Sequence, residues 1–279
     1  MDVEIRHLKT TEEFEACEKL QRRVWAMPDD LGVVPLHLLV SAQRNGGLVL
    51  GAFDHDTLAG FLFGYPGLTS DGRLKHCSHM MGVAPELQSH GVGYRLKLEQ
   101  REFALAQGCD LVTWTFDPLE SRNARLNIRK LGGVCRTYIR DFYGPMDDGL
   151  NRGLPSDRFQ VEWWIASERV ARRVAGPAAG GTDEAELPWL TSTGQVAPGT
   201  VVVGEDPARV WVEIPVDYQA IRASDSVLSA EWRTATRQVL EQQLGMGYRV
   251  TDLACLEVQG RRRSFYLLTK EGEGGNDAH

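Results

Sequence analysis

Cysteine is scarce and scattered in this chain. The five present, Cys17, Cys77, Cys109, Cys135 and Cys255, are odd in number and form no CxxC pair. That spacing argues against a disulfide framework and against a zinc site, and it fits a reducing compartment. Long apolar runs are missing too, and the opening MDVEIRHLKT has no apolar signal core. Neither a membrane span nor a secretory leader follows, so a cytoplasmic protein is expected, with no membrane partner. There is no basic excess either: 31 Lys and Arg stand against 38 Asp and Glu, a formal net charge of −7. No electrostatic footprint for a nucleic-acid backbone results, and no nucleic-acid partner is expected. No metal is expected.

What is present is ordinary globular material. Hydrophobic residues at 42% and charged residues at 25% of 279 supply a substantial core, enough for one large or two modest domains. Ile5–Leu8 reads as a short strand. Thr10 or Thr11 caps a helix to about Trp25, with Phe14, Cys17, Leu20 and Val24 on one face, and a second helix covers Leu36–Arg44. Gly47–Phe53 and Thr57–Tyr65 form an antiparallel hairpin across Asp54–Asp56. Then come a strand at His76–Val83, a glycine-bearing loop, a helix at Tyr94–Gln107 and a strand at Asp110–Phe116. A helix at Asn123–Leu131 and a strand at Phe159–Ala166 follow. The order implies a mixed, mostly antiparallel α/β sheet flanked by helices. The expected domain covers 1–175, with 176–199 as a Gly/Ala-rich linker. A smaller α/β lobe over 200–270 has strands at Val201–Val203 and Arg209–Ile214 and a helix at Val227–Leu244. In that helix Leu228, Trp232, Val239 and Leu240 point inward, and a hairpin closes the lobe. At about 70 residues it is near the lower limit for folding alone, so it docks on the first lobe or on a second subunit, as in a homodimer. Residues 271–279 read as a disordered tail.

The sharpest chemical signal is the run from Val83 to Gly93, VAPELQSHGVG. A strand ends at Val83, Pro85 breaks it, and Gly91 and Gly93 stand just before a helix. Glycines let backbone N–H groups approach a ligand, and a helix start offers free donors at a positive dipole end. Together they suit a pyrophosphate. The run Gln88-x-x-Gly91-x-Gly93, preceded by V-x-P-E at Val83–Glu86, resembles the acetyl-CoA signature of the GNAT superfamily of N-acetyltransferases. The neighbouring elements over about residues 3–166 fall in that family's order. The resemblance implies a GNAT-type fold and an acyl-CoA co-substrate, acetyl-CoA or succinyl-CoA. Gln88, Gly91, Val92, Gly93 and Tyr94 would hold it at the pyrophosphate, and the backbone of Met81, Gly82 and Val83 would pair with its pantetheine arm.

Acyl transfer to an amine sets two further demands. At a lysine-like pKa, neutralising the acceptor at pH 7 costs roughly 4–5 kcal/mol, so a base is useful. His79 is the candidate; its side chain is read as sharing a strand face with Cys77, Met81 and Val83, while His76 points the other way. The oxyanion formed on the thioester needs a donor, which strand-end N–H groups can supply. The chain departs from the family where a tyrosine usually protonates the leaving thiolate: that position is Ile128. Tyr138 and Tyr143 are substitutes. Ser121 stands where the family has a coenzyme-contacting asparagine, and Asn123 takes that role. Trp114–Leu119, Asn123-Ala124 and Gly153–Arg158 resemble a narrower GNAT branch associated with N-acylamino-acid racemases, some of whose members are thought to succinylate amino acids. That implies a small-molecule amine acceptor, with Asp117 toward its ammonium and Arg158, or Arg140 in reserve, toward its carboxylate. The rival expectations are a protein lysine or N-terminal acetyltransferase and a non-catalytic coenzyme A-binding protein.

Overall fold

The computed structural model describes residues 3–29, 31–146, 149, 153, 155–176, 201–203, 208–258 and 260–270. The expected linker, except for its first residue, and the tail lie outside the described residues. In chain order the elements begin with β1 (Val3–His7), α1 (Thr11–Trp25), α2 (Leu36–Arg44), β2 (Leu48–Asp54), β3 (Thr57–Leu68) and β4 (Leu74–Val83). A short 3-10 turn at Pro85–Leu87 leads to α3 (Val92–Ala106), β5 (Leu111–Phe116) and α4 (Ser121–Ala124), which continues in π-helical turns over Arg125–Lys130. There follow β6 (Val134–Ile139), β7 (Arg158–Trp164), α5 (Glu168–Val174), β8 (Val201–Val203) and β9 (Arg209–Ile214). Last come α6 (Tyr218–Ser224), α7 (Ser226–Gly245), β10 (Tyr248–Val258) and β11 (Arg261–Lys270). This is the mixed, mostly antiparallel α/β class that the sequence implies. Among the described residues no helix is long and apolar enough to cross a membrane.

Two compact units divide the chain. One is Met1–Trp114 with Pro145–Leu154, the other Thr115–Gly144 with Pro155–His279. Both therefore draw on the region 1–175.

In the first unit the strand order is β1-β2-β3-β4-β5; the first four are antiparallel neighbours and β5 is parallel to β4. β2 is buried from Leu48 to Phe53 with no polar alternation, because helices cover both faces. On one side α1 and α2 bring Phe14, Cys17, Leu20 and Leu39 against Val49, Phe53, Phe61 and Phe63. On the other, α3 brings Val92 and Leu96 against Leu48, Leu50 and Leu62. α1 starts where the Thr10 hydroxyl accepts from the Glu13 N–H at 3.3 Å, with acids in its first turn and arginines in its last, as the helix dipole favours. Gln21 joins its buried face, because its amide satisfies both the N–H (2.8 Å) and the carbonyl (3.1 Å) of Val34.

In the second unit the order is β7-β6-β10-β11-β9-β8, antiparallel throughout. A single rung, Cys135↔Val250, joins the β6–β7 pair to the β10–β11 hairpin. α7 turns Ser229, Trp232, Arg233, Thr236 and Leu240 inward, whereas Leu228 and Val239 are only half-buried. Arg233 is held on that buried face because Asp117 lies opposite it.

Candidate functional site

β4 carries one residue more than β3 across from it. Gly64 pairs with Ser78 and Phe63 with Met80, so His79 is the unpaired residue of a β-bulge. A bulge shifts the alternation of side chains by one. His76 and Ser78 face α3, and beyond the bulge so do Met81 and Val83, which pack with Val92 and Leu96. Cys77 points the other way, beside Gly67, and Met80 joins the α1 cluster. The expectation that His79 shares a face with Met81 and Val83 is thus corrected: the bulge separates them. The His79 ring stands perpendicular to Phe63 at 5.7 Å and tilted to Tyr65 at 5.9 Å. Its position on the strand is exposed, yet these neighbours take enough water from the imidazole to lower its pKa below the ordinary histidine value. A neutral imidazole is what a base requires.

The other edge of β4 is paired with β5 for only two residues, His76↔Val112 and Cys77↔Thr113. Among the described residues no further rung follows, so the strands part between Ser78 and Trp114 and leave a wedge along the free edge of β4 toward Val83. At its open end the Gln88 side chain donates to the Val83 carbonyl at 3.0 Å. Ser89 (φ +69°) and Gly91 (φ +82°) take left-handed backbone, and nothing lies within 4 Å of where a Gly91 side chain would start. Gly91 is the N-cap of α3 and brings no side-chain cap. The helix starts at Val92 rather than Tyr94, so Gly93 lies within its first turn. Buried Val92 anchors that turn to Met81 and Val83. Strand edge and helix start together offer backbone groups for an extended chain and N–H donors for an anion.

Lys97 is a feature the sequence reading missed. It is only 2% exposed, and its ammonium donates to Ser78 Oγ at 2.8 Å and to Gln100 Oε1 at 3.1 Å, with the Trp114 ring 3.6 Å away. Burial pulls its pKa well below the lysine value. Beside it His76 is fully buried, with neither ring nitrogen hydrogen-bonded; burial first, and the Lys97 charge second, lower its pKa to about 4. Gly64 makes room for it, since a Cβ there would come within 2.3 Å of the imidazole. The available signal was spacing: Lys97, Gln100 and Ala104 form one stripe along α3.

The remaining site residues belong to the second unit. Both Asp117 oxygens accept from Arg233 of α7, Oδ1 at 2.9 Å, and Arg158 lies 3.9 Å from Oδ2. The Arg158 guanidinium donates to the Asp157 carbonyl at 2.9 Å and stands 5.3 Å from the Tyr143 ring. Tyr143 is exposed, its hydroxyl 3.1 Å from Thr115 Oγ1. Asp117, Arg158 and Tyr143 thus come together. Tyr138 is apart from them in role: its hydroxyl donates to Asp157 at 2.6 Å, and burial, then that carboxylate, push its pKa far above the usual tyrosine value. It is a poor acid. Arg237 grips the same Asp157 at 2.7 and 2.9 Å. Arg140 forms an exposed two-pronged pair with Glu241, both contacts at 2.6 Å. Asn123 is exposed, Ser121 is buried against Ser264 at 2.8 Å, and Ile128 is fully buried. Arg233, Arg237 and Glu241, spaced by four on α7, were not read from sequence, because their partners lie 80 to 116 residues away.

No protein-family profile matches the chain, and no curated protein sequence does. Among solved structures, similar chains include acetyltransferases. A ribosomal-protein alanine N-acetyltransferase from Escherichia coli is 18% identical over 59% of this chain and 94% of its own, with a TM-score of 0.47. An acetyltransferase of the GNAT family from Streptococcus pneumoniae is 16% identical over 58% and 98%, TM-score 0.46. An N-acetyltransferase from Staphylococcus aureus is 14% identical over 59% and 99%, TM-score 0.47.

Proposed function

We propose that this protein is a GNAT-type, acyl-CoA-dependent N-acyltransferase that moves an acetyl or succinyl group onto the amine of a small molecule, an amino acid. The observation that carries the reading is the wedge: a two-rung β4–β5 ladder opening toward an uncapped helix start with glycines at its first positions. An extended pantetheine arm has a free strand edge to pair with, and a diphosphate has N–H donors to bind. The sequence signature at Gln88, Gly91 and Gly93 falls on that same corner.

In this reading Met81, Gly82 and Val83 lend backbone to the arm, and Val92, Gly93 and Tyr94 lend N–H groups to the diphosphate. His79, neutral and set in the bulge, takes the proton of the attacking amine. Strand-edge N–H groups steady the oxyanion. No covalent acyl-enzyme is needed. For an acceptor carboxylate Arg158, beside Asp117 and the Tyr143 ring, is the choice, with Arg140 in reserve. Asp117, with both oxygens on Arg233, orients the arginines as well as any ammonium.

The deciding experiment is calorimetry of coenzyme A binding to the wild type and to Gly93→Val, which places a branched side chain over the helix-start donors. Binding should be lost in a variant whose circular dichroism is unchanged. Unaltered affinity would remove the wedge from the account. Thiol release across a matrix of acyl-CoAs and amino acids then names both substrates.

A further inference from the structure

We propose that Lys97 and Ser78 form a proton relay at the closed end of the wedge, serving the sulfur that leaves during acyl transfer. The inference rests on the acyl-CoA reading above. Cys77↔Thr113 is the last rung of the β4–β5 ladder, and the next residues on the two strands are Ser78 and Trp114. Lys97 touches both, so its amine sits where the strands part. A coenzyme whose diphosphate lies at the α3 start threads its arm back along β4, and its thioester is the end that reaches deepest.

The surroundings of Lys97 are those of an ammonium held for use. Its three N–H groups meet three acceptors, Ser78 Oγ, Gln100 Oε1 and the Trp114 ring face. Among the described residues no carboxylate pairs with it, and burial lowers its pKa. A buried cation without a counter-ion is costly, and removing one of its protons relieves that cost. An anion appearing beside it, such as a thiolate, would do so.

The step balances as follows. The amine nitrogen bonds to the carbonyl carbon, and the C–S bond breaks with its electron pair staying on sulfur. Sulfur takes the proton of Ser78 Oγ–H while Ser78 takes one from Lys97, which is left as a neutral amine. Protons shed by the attacking nitrogen leave through His79 to water. Lys97 regains its proton from water when the product departs. Ser78 touches the reacting atom, and Lys97 acts through it as a positioning residue.

Leaving-group chemistry tests this. Thiol release is measured for wild type, Lys97→Met and Ser78→Ala, with an equimolar mixture of the twenty common amino acids as acceptor. Two donors are compared: acetyl-CoA or succinyl-CoA, whose alkyl thiolate needs a proton, and the matching acyl ester of 4-nitrothiophenol, whose thiolate does not. Both variants should lose about 10²-fold or more with the acyl-CoA, the range of acid–base catalysis, and far less with the activated ester. Their coenzyme A affinity should stay at the wild-type value. Equal losses with both donors would overturn the relay and leave the acyl-CoA reading standing. A wild type that neither binds coenzyme A nor releases thiol would overturn both.

Discussion

The two units bury charge in opposite ways. The second unit buries it in pairs: Arg263 with Glu213 at 2.8 and 2.6 Å, Arg233 with Asp117, Arg237 with Asp157, and Arg173 with Asp252 at 2.7 Å. The first unit buries Lys97 and His76 together, with neutral hydrogen-bond partners for one and, among the described residues, none for the other. Paired burial fixes geometry; unpaired burial of titratable groups costs stability, and sites of chemistry are where such costs concentrate. Under the proposed function the contrast puts reactivity at the wedge and leaves scaffolding to the pairs.

The largest way to break the comparison lies in the second unit. Glu213→Ala leaves the Arg263 guanidinium buried without its carboxylate, and removal of one partner of such a pair costs about 3–5 kcal/mol. Replacing both by apolar residues of similar volume should cost far less. Urea unfolding of the single and double variants measures this, and equal costs would mean that packing, not charge, is being read.

A second effect belongs to the first unit. Folded His76 is held near pKa 4, whereas in the unfolded chain it titrates near 6.5. Between those values the unfolded state takes up the proton first, so stability falls as pH drops from about 6.5 to about 4 and levels off below. The full loss is about 3 kcal/mol. His76→Gln should flatten this part of the unfolding profile. If wild type and variant fall in parallel, other groups carry the acid sensitivity.

The smallest expected effect sharpens the comparison from the surface. Arg140 and Glu241 have the geometry of a strong pair, but the arginine side chain is 64% exposed. Water and salt screen such contacts, so Arg140→Ala should leave the thermal midpoint unmoved within error. A clear drop would place this pair among the structural ones.

Local chemistry was legible in the sequence and distant chemistry was not. The bounds of α2 follow from Pro35 before it and a polar stop after Arg44, and the helix occupies Leu36–Arg44 as read. Gly91 before α3 was legible because the left-handed turn it makes is set by backbone within a few residues. The bulge at His79 left no mark in composition, since a period-two pattern looks the same until its partner strand is known. Short helices α5 and α6, seven residues each, carry too few turns to set up a readable stripe. Lys97 looked like any helix-surface lysine because what buries it arrives from β4 and β5. Arg233 on the buried face of α7, beside Trp232 and Leu240, went unread for the same reason.

That face of α7 works like a comb. Arg233, Arg237 and Glu241 are teeth set at a pitch of four residues, and each meshes with a separate slot at Asp117, Asp157 and Arg140. One residue inserted upstream of Arg233 within the helix would turn all three teeth by about 100° around the axis, unseating them together, whereas four inserted residues would bring the face back to within about 40° but advance it one notch of about 6 Å, setting Arg237 opposite Arg140. A change of helical phase and a change of one whole notch should therefore both cost contacts, the second because the teeth differ in sign.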